Sequence, residues 1–164
     1  MSVTMRRARA GDVEQIAALI AEYALEGTML GKSPASIELA LDDFIVAADA
    51  RGRVLACGAV KEYSPSLAEV ASVAVARSAH GRGLGRRIVA EVEHLARRRG
   101  IGEVFALTLA PGFFESVGYA VTDRARYPEK LRRDCTACAR RFACGEICVW
   151  RPLETAPMAL EAAA

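Results

Sequence analysis

Long apolar runs are missing from this sequence of 164 residues: no stretch approaches the ~18–20 consecutive apolar residues that a membrane-spanning helix needs. Its opening, MSVTMRRARAGDVEQ, lacks the apolar segment of a secretory leader, which makes a cytoplasmic location the expectation. Neither sign of charge is in excess. The 22 basic and 20 acidic residues leave a formal net charge of +2, and the basic residues are spread along the chain. That leaves no electrostatic footprint for a nucleic acid. Internal repeats and low-complexity linkers are also absent before the last residues, so the length fits one domain with at most a small appendage. The closing ETAPMALEAAA, residues 154–164, is weakly patterned and reads as a flexible tail.

What is present supports a core. Hydrophobic residues make up 52% and charged residues 26%, a balance that argues against disorder. Val3 to Arg9 predicts a short strand. Asp12 predicts an N-cap for a helix over VEQIAALIAEYAL, where Val13, Ile16, Leu19 and Ile20 recur at helical spacing before Gly27 stops it. Ser33-Pro34, a cap followed by proline at the first helical position, opens a second helix through ASIELALDDF. FIVAADARGRVLACGAVKEY places two apolar runs around Asp49-Ala50-Arg51-Gly52 and reads as a hairpin. LAEVASVAVA is a further strand, and a helix opens at AHGRGLGRR with Ile88, Val92, Leu95 and Ala96 on one face. It closes at Gly100 after Arg97, Arg98 and Arg99, cations that suit solvent and the negative end of the macrodipole. EVFALTLA reads as a strand, FFESVG after Pro111-Gly112 as a short helix, YAVTDRA as a strand, and the last strand falls near Glu146 to Arg151. The order β-α-α-β-β-β-α-β-α-β-loop-β makes this an α/β (α+β) chain, a mixed sheet with helices packed on it.

SVAVARSAHGRGLGRRIVAEVEHLA carries the sharpest signal. A strand runs into a turn with Gly81, Gly83 and Gly85 at alternate positions, and an amphipathic helix follows. Glycine lets main-chain N–H groups close on a ligand, and the helix start adds partial positive charge, a combination that suits a pyrophosphate. Arg82 and Arg86 add charge for the same anion. This is not a P-loop, which needs Gly-Lys-Ser/Thr where Gly85-Arg86-Arg87 stands. Nor is it a dinucleotide fingerprint, because the spacing is G-x-G-x-G and the turn follows a mid-chain strand.

Four of the 5 cysteines, Cys135, Cys138, Cys144 and Cys148, crowd together late in the chain. Without an export signal, that suggests metal or redox chemistry ahead of structural disulfides. Cys135-x-x-Cys138 has zinc-knuckle spacing, and four thiolates could close a tetrahedral structural zinc site. Reduced thiols and a Cys135–Cys138 disulfide are the alternatives. No open-site histidine or carboxylate accompanies the cluster, so any metal there would be structural. Cys57 reads as a buried small hydrophobe.

The turn His80-Gly81-Arg82-Gly83-Leu84-Gly85 resembles the R/Q-x-x-G-x-G/A acetyl-CoA turn of the GNAT acyltransferase superfamily, with His80 replacing the usual Arg or Gln. The resemblance spans roughly Val3 to Leu153. It implies a single acetyltransferase domain over residues 1–153, with 134–148 as a cysteine-rich insertion. The implied fold is a mixed, mostly antiparallel sheet of about six to seven strands flanked by about four helices. Residues His80, Gly81, Arg82, Gly83, Leu84, Gly85 and Arg86 would then hold the cofactor pyrophosphate, and the Val73 and Val75 backbone would pair with the pantetheine arm.

Three further stretches, LAEVASVAV, VFALTLAPGFFESVGY and YPEKLRRDCTACARRFACGEICVWRPL, are similar to the short stand-alone N-acetylglutamate synthases (amino-acid N-acetyltransferases) of bacterial arginine biosynthesis. That likeness implies transfer of acetyl from acetyl-CoA to the α-amino group of glutamate, by direct attack in a ternary complex. An ammonium has no lone pair, so a base must take a proton, and Glu69 stands at the matching position. The tyrosine many superfamily members use as proton donor corresponds to Phe114, which leaves Thr108 as a weak donor; Tyr119 reads as core packing. Glutamate's carboxylates call for cations, met by Lys32 in TMLGKSP and Lys130 in YPEKLRR, with Arg132 and Arg133 beside it. The alternatives are an acetyltransferase for another small amine or a protein N-terminus, and a CoA-binding module without turnover. The expected partners are a small amino-acid substrate and, since such folds often dimerise, a second copy of the chain, with neither nucleic acid nor membrane.

Overall fold

The computed structural model describes residues 2–141 and 144–154, so the expected tail lies, apart from Glu154, outside the described residues. Seven strands form one sheet in the order β1-β2-β3-β4-β5-β7-β6. They are β1 (Val3–Arg7), β2 (Phe44–Asp49), β3 (Val54–Ser64), β4 (Leu67–Val75), β5 (Glu103–Thr108), β6 (Ala120–Thr122) and β7 (Ile147–Pro152). The helices are α1 (Val13–Leu25), α2 (Pro34–Leu39), α3 (Leu84–Arg98), α4 (Pro111–Ser116) and the single turn α5 (Pro128–Lys130), which continues into a π-helical turn at Leu131–Cys135. This is the α/β mixed sheet that the sequence predicts, and every pairing is antiparallel except β4 with β5.

Period-two alternation sends β2 side chains to opposite faces. Ile45 and Ala47 face the α3 side, where they join Ile88, Val92, Leu95 and Ala96. Phe44 and Val46 face α1 and pack with Ile16, Ile20 and Cys57. Gly58 on β3 fits tightly beneath α3, because an added Cβ would lie 2.5 Å from the Ile88 methyl, which is fully buried. Cys57 is buried as expected, and desolvation pushes its thiol up to about 12.

Several boundaries differ from expectation for local reasons. Asp12 does not cap α1 with its side chain; its carboxylate takes the Arg6 guanidinium at 2.6 and 3.0 Å and the Arg9 N–H at 2.8 Å. Ser33 does cap α2, accepting from the Ser36 N–H at 3.1 Å, but the helix ends at Leu39 and a 3₁₀ turn, Leu41–Asp43, follows. The strand expected over YAVTDRA shortens to β6, since Asp123 caps a new turn at Arg124–Arg126. Arg99, the last of the arginine run, is structural: it reaches Asp43 at 2.7 Å and Glu62 at 3.0 Å. No described helix is long and apolar enough to cross a membrane.

Candidate active site

The parallel β4–β5 pairing runs only from Leu67↔Glu103 to Glu69↔Phe105. Beyond that point β4 continues to Val75 and β5 to Thr108 without pairing, so the sheet splits into a wedge. β4 is re-aimed there by a bulge: its register against β3 shifts between Cys57↔Ala74 and Ala59↔Ala71, and Ser72 has a φ of +55°. The result is a cleft of about 630 Å³ lined by both strand edges, by Thr28–Lys32 and by Lys130, Asp134 and Glu146.

Next to this cleft, joined to it by the contact of His80 with the lining residue Tyr23, is the glycine turn. Gly81 and Gly83 have φ of +75° and +71°, conformations that favour glycine, and nothing stands within 4 Å of where a Cβ would project. Gly85 packs instead, its Cβ position 3.4 Å from the Phe113 ring. Leu84 anchors the first turn in the core while Gly81, Arg82, Gly83 and Arg86 stay exposed. The N–H groups of a first helical turn have no acceptor within the helix, so this turn presents donors and open space to an anion. Arg86 is tethered to the Ser116 carbonyl at 3.2 Å.

Val75 sits where β4 leaves the sheet. The Ala76 N–H donates to the Leu55 carbonyl at 2.7 Å, so the Val75 carbonyl across the same peptide points away from β3. There it accepts from Tyr23 Oη, and His80 Nε2 lies 3.1 Å from it and 2.9 Å from Tyr23 Oη. His80 therefore locks the entry to the turn through its side chain.

Within the cleft lies a cluster of charges. Glu69 on β4, 7% exposed, accepts from Tyr63 Oη at 2.8 Å and pairs with Lys130 Nζ at 2.9 Å. Asp134 Oδ2 alone takes Lys61 Nζ at 2.6 Å, Tyr63 Oη at 2.5 Å and Lys130 Nζ at 3.0 Å. Lys61 stands opposite Glu69 in the β3–β4 register, which puts both on one face. Burial and then the Glu69 charge push the Tyr63 phenol far above its ordinary range. Burial pulls Lys130 down, but Glu69 and Asp134 outweigh it and the net shift is upward. Burial likewise opposes ionisation of Asp134, yet Lys61, Tyr63 and Lys130 hold its carboxyl well below the usual range. Desolvation, followed by Lys61, lowers Lys32, while desolvation and Glu69 raise Glu146.

The cleft thus brings Glu69, Thr108, Lys32 and Lys130 together. Thr108 Oγ1 accepts the Ala110 N–H at 2.8 Å, which leaves its own hydrogen free to donate. Phe114 lines the wedge, and Tyr119 is core, stacked edge-on against Phe114 with its hydroxyl on Glu93 at 2.8 Å. Sequence reasoning missed Lys61, Tyr63, Asp134 and Tyr23. The alternation in VKEYS puts Lys61 and Tyr63 on one face, and Asp134 precedes Cys135 directly, but the cysteine spacing was the louder signal.

The zinc site expected of Cys135, Cys138, Cys144 and Cys148 is corrected by the structure. Among the described residues no group of three or more His, Cys, Asp or Glu side chains is placed to hold a metal. Cys148 belongs to β7 and is buried with Leu67, Phe105 and Tyr127, where desolvation pushes it up to about 11. All 5 cysteines, Cys57, Cys135, Cys138, Cys144 and Cys148, are free thiols, so the Cys135–Cys138 disulfide is absent as well.

Comparison with known proteins follows the same lines. Residues 14–119 match the acetyltransferase (GNAT) family. An uncharacterized N-acetyltransferase of Chlorobaculum tepidum is 40% identical over 149 residues, 91% of this chain and 96% of that protein. An amino-acid acetyltransferase of Mycobacterium tuberculosis is 35% identical over 70% of this chain and 67% of its own length. The N-acetylglutamate synthase of Neisseria gonorrhoeae, solved with coenzyme A and N-acetyl-glutamate, superposes with a TM-score of 0.84 at 28% identity over 94% of this chain. This chain spans only 36% of that synthase's length. With the split sheet, the glycine turn and these matches together, the chain belongs to the GNAT acetyltransferase family and is an N-acetyltransferase of that fold.

Proposed function

We propose that this protein transfers an acetyl group from acetyl-CoA to the α-amino group of an amino acid, with L-glutamate as the acceptor and N-acetyl-L-glutamate, an arginine precursor, as the product. The observation that carries the reading is the convergence of Lys32, Lys61 and Lys130 with Glu69 in one cleft, beside the open edge of β4. A dicarboxylate acceptor with a nucleophilic nitrogen needs cations and a base at this spot. Relatives named amino-acid acetyltransferase, and the gonococcal synthase solved with N-acetyl-glutamate, support the same choice.

The glycine turn fits the cofactor, because Gly81 and Gly83 are exposed with open space at their Cβ positions and Arg82 and Arg86 stand beside them. The N–H groups of residues 81–86 would hold the pyrophosphate, with His80 and Leu84 fixing the turn from either side. Val73 would pair with the pantetheine arm; Val75 would offer its N–H, its carbonyl being held by Tyr23 and His80. Acetyl-CoA, when bound, supplies the electrophilic thioester and a thiol leaving group with a pKa of about 8.5. Lys32 at the cleft rim and Lys130 on its floor would receive the acceptor's carboxylates. Glu69 would take the ammonium proton, directly or through one water, so that nitrogen attacks with a free lone pair. The Thr108 hydroxyl would donate toward the departing sulfur.

The test is an acetylation assay across amino acids, peptides and polyamines, run on the wild type and on Glu69→Gln. Glutamate-selective turnover is expected, with kcat reduced about 10²–10³-fold in the variant. Turnover on peptides or polyamines instead, or an undiminished Glu69→Gln, overturns the reading.

A further inference from the structure

The acceptor end of the cleft already contains a carboxylate bound in the manner of a ligand. Asp134 Oδ2 gathers two lysine ammonium groups and a tyrosine hydroxyl on a single oxygen. No other described side chain in the cleft collects as many donors. Asp134 is not part of the sheet: it rides on the π-helical turn Leu131–Cys135, whose wide i→i+5 closure, Thr136 N–H to the Leu131 carbonyl at 3.2 Å, is a geometry seldom kept without a use. Arg133 also fastens the turn to the sheet, donating to the Glu62 carbonyl at 2.8 Å. Asp134 also changes the charge available to an acceptor. With it in place, Lys61 is paired and Lys130 is shared between Asp134 and Glu69, which leaves Lys32 as the one cleft lysine without an ion-pair partner among the described residues. An acidic acceptor presents two carboxylates, and one unpaired lysine satisfies one of them.

We infer that Asp134 is a specificity-determining residue: its carboxylate occupies the seat of the acceptor's side-chain carboxylate on Lys61, Lys130 and Tyr63, and yields that seat when an acidic acceptor binds. This deepens the reading of the acceptor given above and rests on it for the identity of the incoming group. An internal competitor lowers the apparent affinity for an acidic acceptor by the fraction of time it holds the seat. An acceptor whose side chain carries an uncharged amide leaves Asp134 where it is. The device therefore compresses the preference for glutamate over glutamine.

The experiment compares Asp134→Asn with the wild type in two measurements. Calorimetry with glutarate, a dicarboxylate that has no amine to acetylate, should show about tenfold tighter binding in the variant. Steady-state kinetics should show KM for glutamate falling by a similar factor while KM for glutamine changes less than about twofold. Glu146→Gln removes the same charge from the same cleft without touching the seat. Equal tightening of glutarate by Glu146→Gln would mean a general field effect and would overturn the inference. So would weaker glutarate binding in a folded Asp134→Asn, the result if Asp134 merely holds the lysines in position. Should glutamate fail as an acceptor while glutarate still binds more tightly to Asp134→Asn, the glutamate assignment falls and the seat stands.

Discussion

Lys32 is a cleft lysine whose charge its surroundings oppose. The sequence marks it as a carboxylate ligand by its place in TMLGKSP, and the structure puts it on the cleft rim, exposed and without an ion-pair partner among the described residues. Desolvation by the cleft walls and repulsion from Lys61 both favour its neutral form. Its folded pKa lies below its unfolded value, so the folded chain loses this proton first as the pH rises. Affinity for a carboxylate should therefore decline with rising pH before an ordinary lysine would titrate, near 10.4. Glutarate binding followed by calorimetry from pH 7 upward should show that early decline, and Lys32→Met should abolish it while weakening binding about fivefold at pH 7, the upper range for an exposed pair. A pH profile unchanged by Lys32→Met would remove Lys32 from the acceptor site. Lys61 was not legible in the same way, because a lysine on an alternating strand looks like any solvated residue until Glu69 is known to stand opposite it.

At the scale of elements, the glycine turn and α3 were the most legible, since each property needed there has a residue-level signature. Positive φ requires glycine at 81 and 83, burial requires Leu84, and Ile88, Val92 and Leu95 supply the packed stripe. The turn's need for glycine at 83 is one of backbone conformation and not of room for a side chain, because a Cβ there would meet nothing. Gly83→Ala should thus cost about 1–2 kcal/mol of left-handed strain and weaken coenzyme A binding about tenfold as the turn relaxes and its amides lose their aim. Gly102→Ala, at a site with a similarly open surround but no positive φ, is the control and should leave both thermal stability and coenzyme A affinity unchanged. If both substitutions behave alike in calorimetry, the turn conformation is not what binds the cofactor. The helical turn α5 and the π-turn after it were not legible at all. YPEKLRRDC is short, polar and without periodicity, and its placement depends on long-range ion pairs from Lys61 to Asp134 and from Lys130 to Glu69.

Across the whole molecule, ion pairs fasten the elements that the three hydrophobic clusters of the described residues leave loose. Asp12 with Arg6 ties the start of α1 to β1, and Asp134 with Lys61 ties the π-turn to β3. The Arg6 hydrogen bond holds Asp12 below the usual carboxylate range despite burial, and Asp134 is held lower still, burial again opposing and Lys61, Tyr63 and Lys130 prevailing. Both carboxylates are more acidic folded than unfolded, so their contribution is fully present above the unfolded pKa, about 3.9, and is lost as pH falls toward the folded values. Glu146 runs the other way, since desolvation raises it and protonation on mild acidification relieves that cost. The melting temperature should accordingly stay level or rise slightly from pH 7 to about 5, then fall steeply below about pH 4. Asp134→Asn should melt lower than the wild type at pH 7, and the gap should narrow steadily as both are taken below pH 4, where the unfolded wild-type chain takes up a proton that the folded carboxylate still resists. Scanning calorimetry at matched ionic strength reads this directly. A gap that stays constant from pH 7 to pH 2 would mean that the Asp134 contact stabilises the fold by packing alone, and that the ion pairs on the acceptor floor do not hold the π-turn against the sheet.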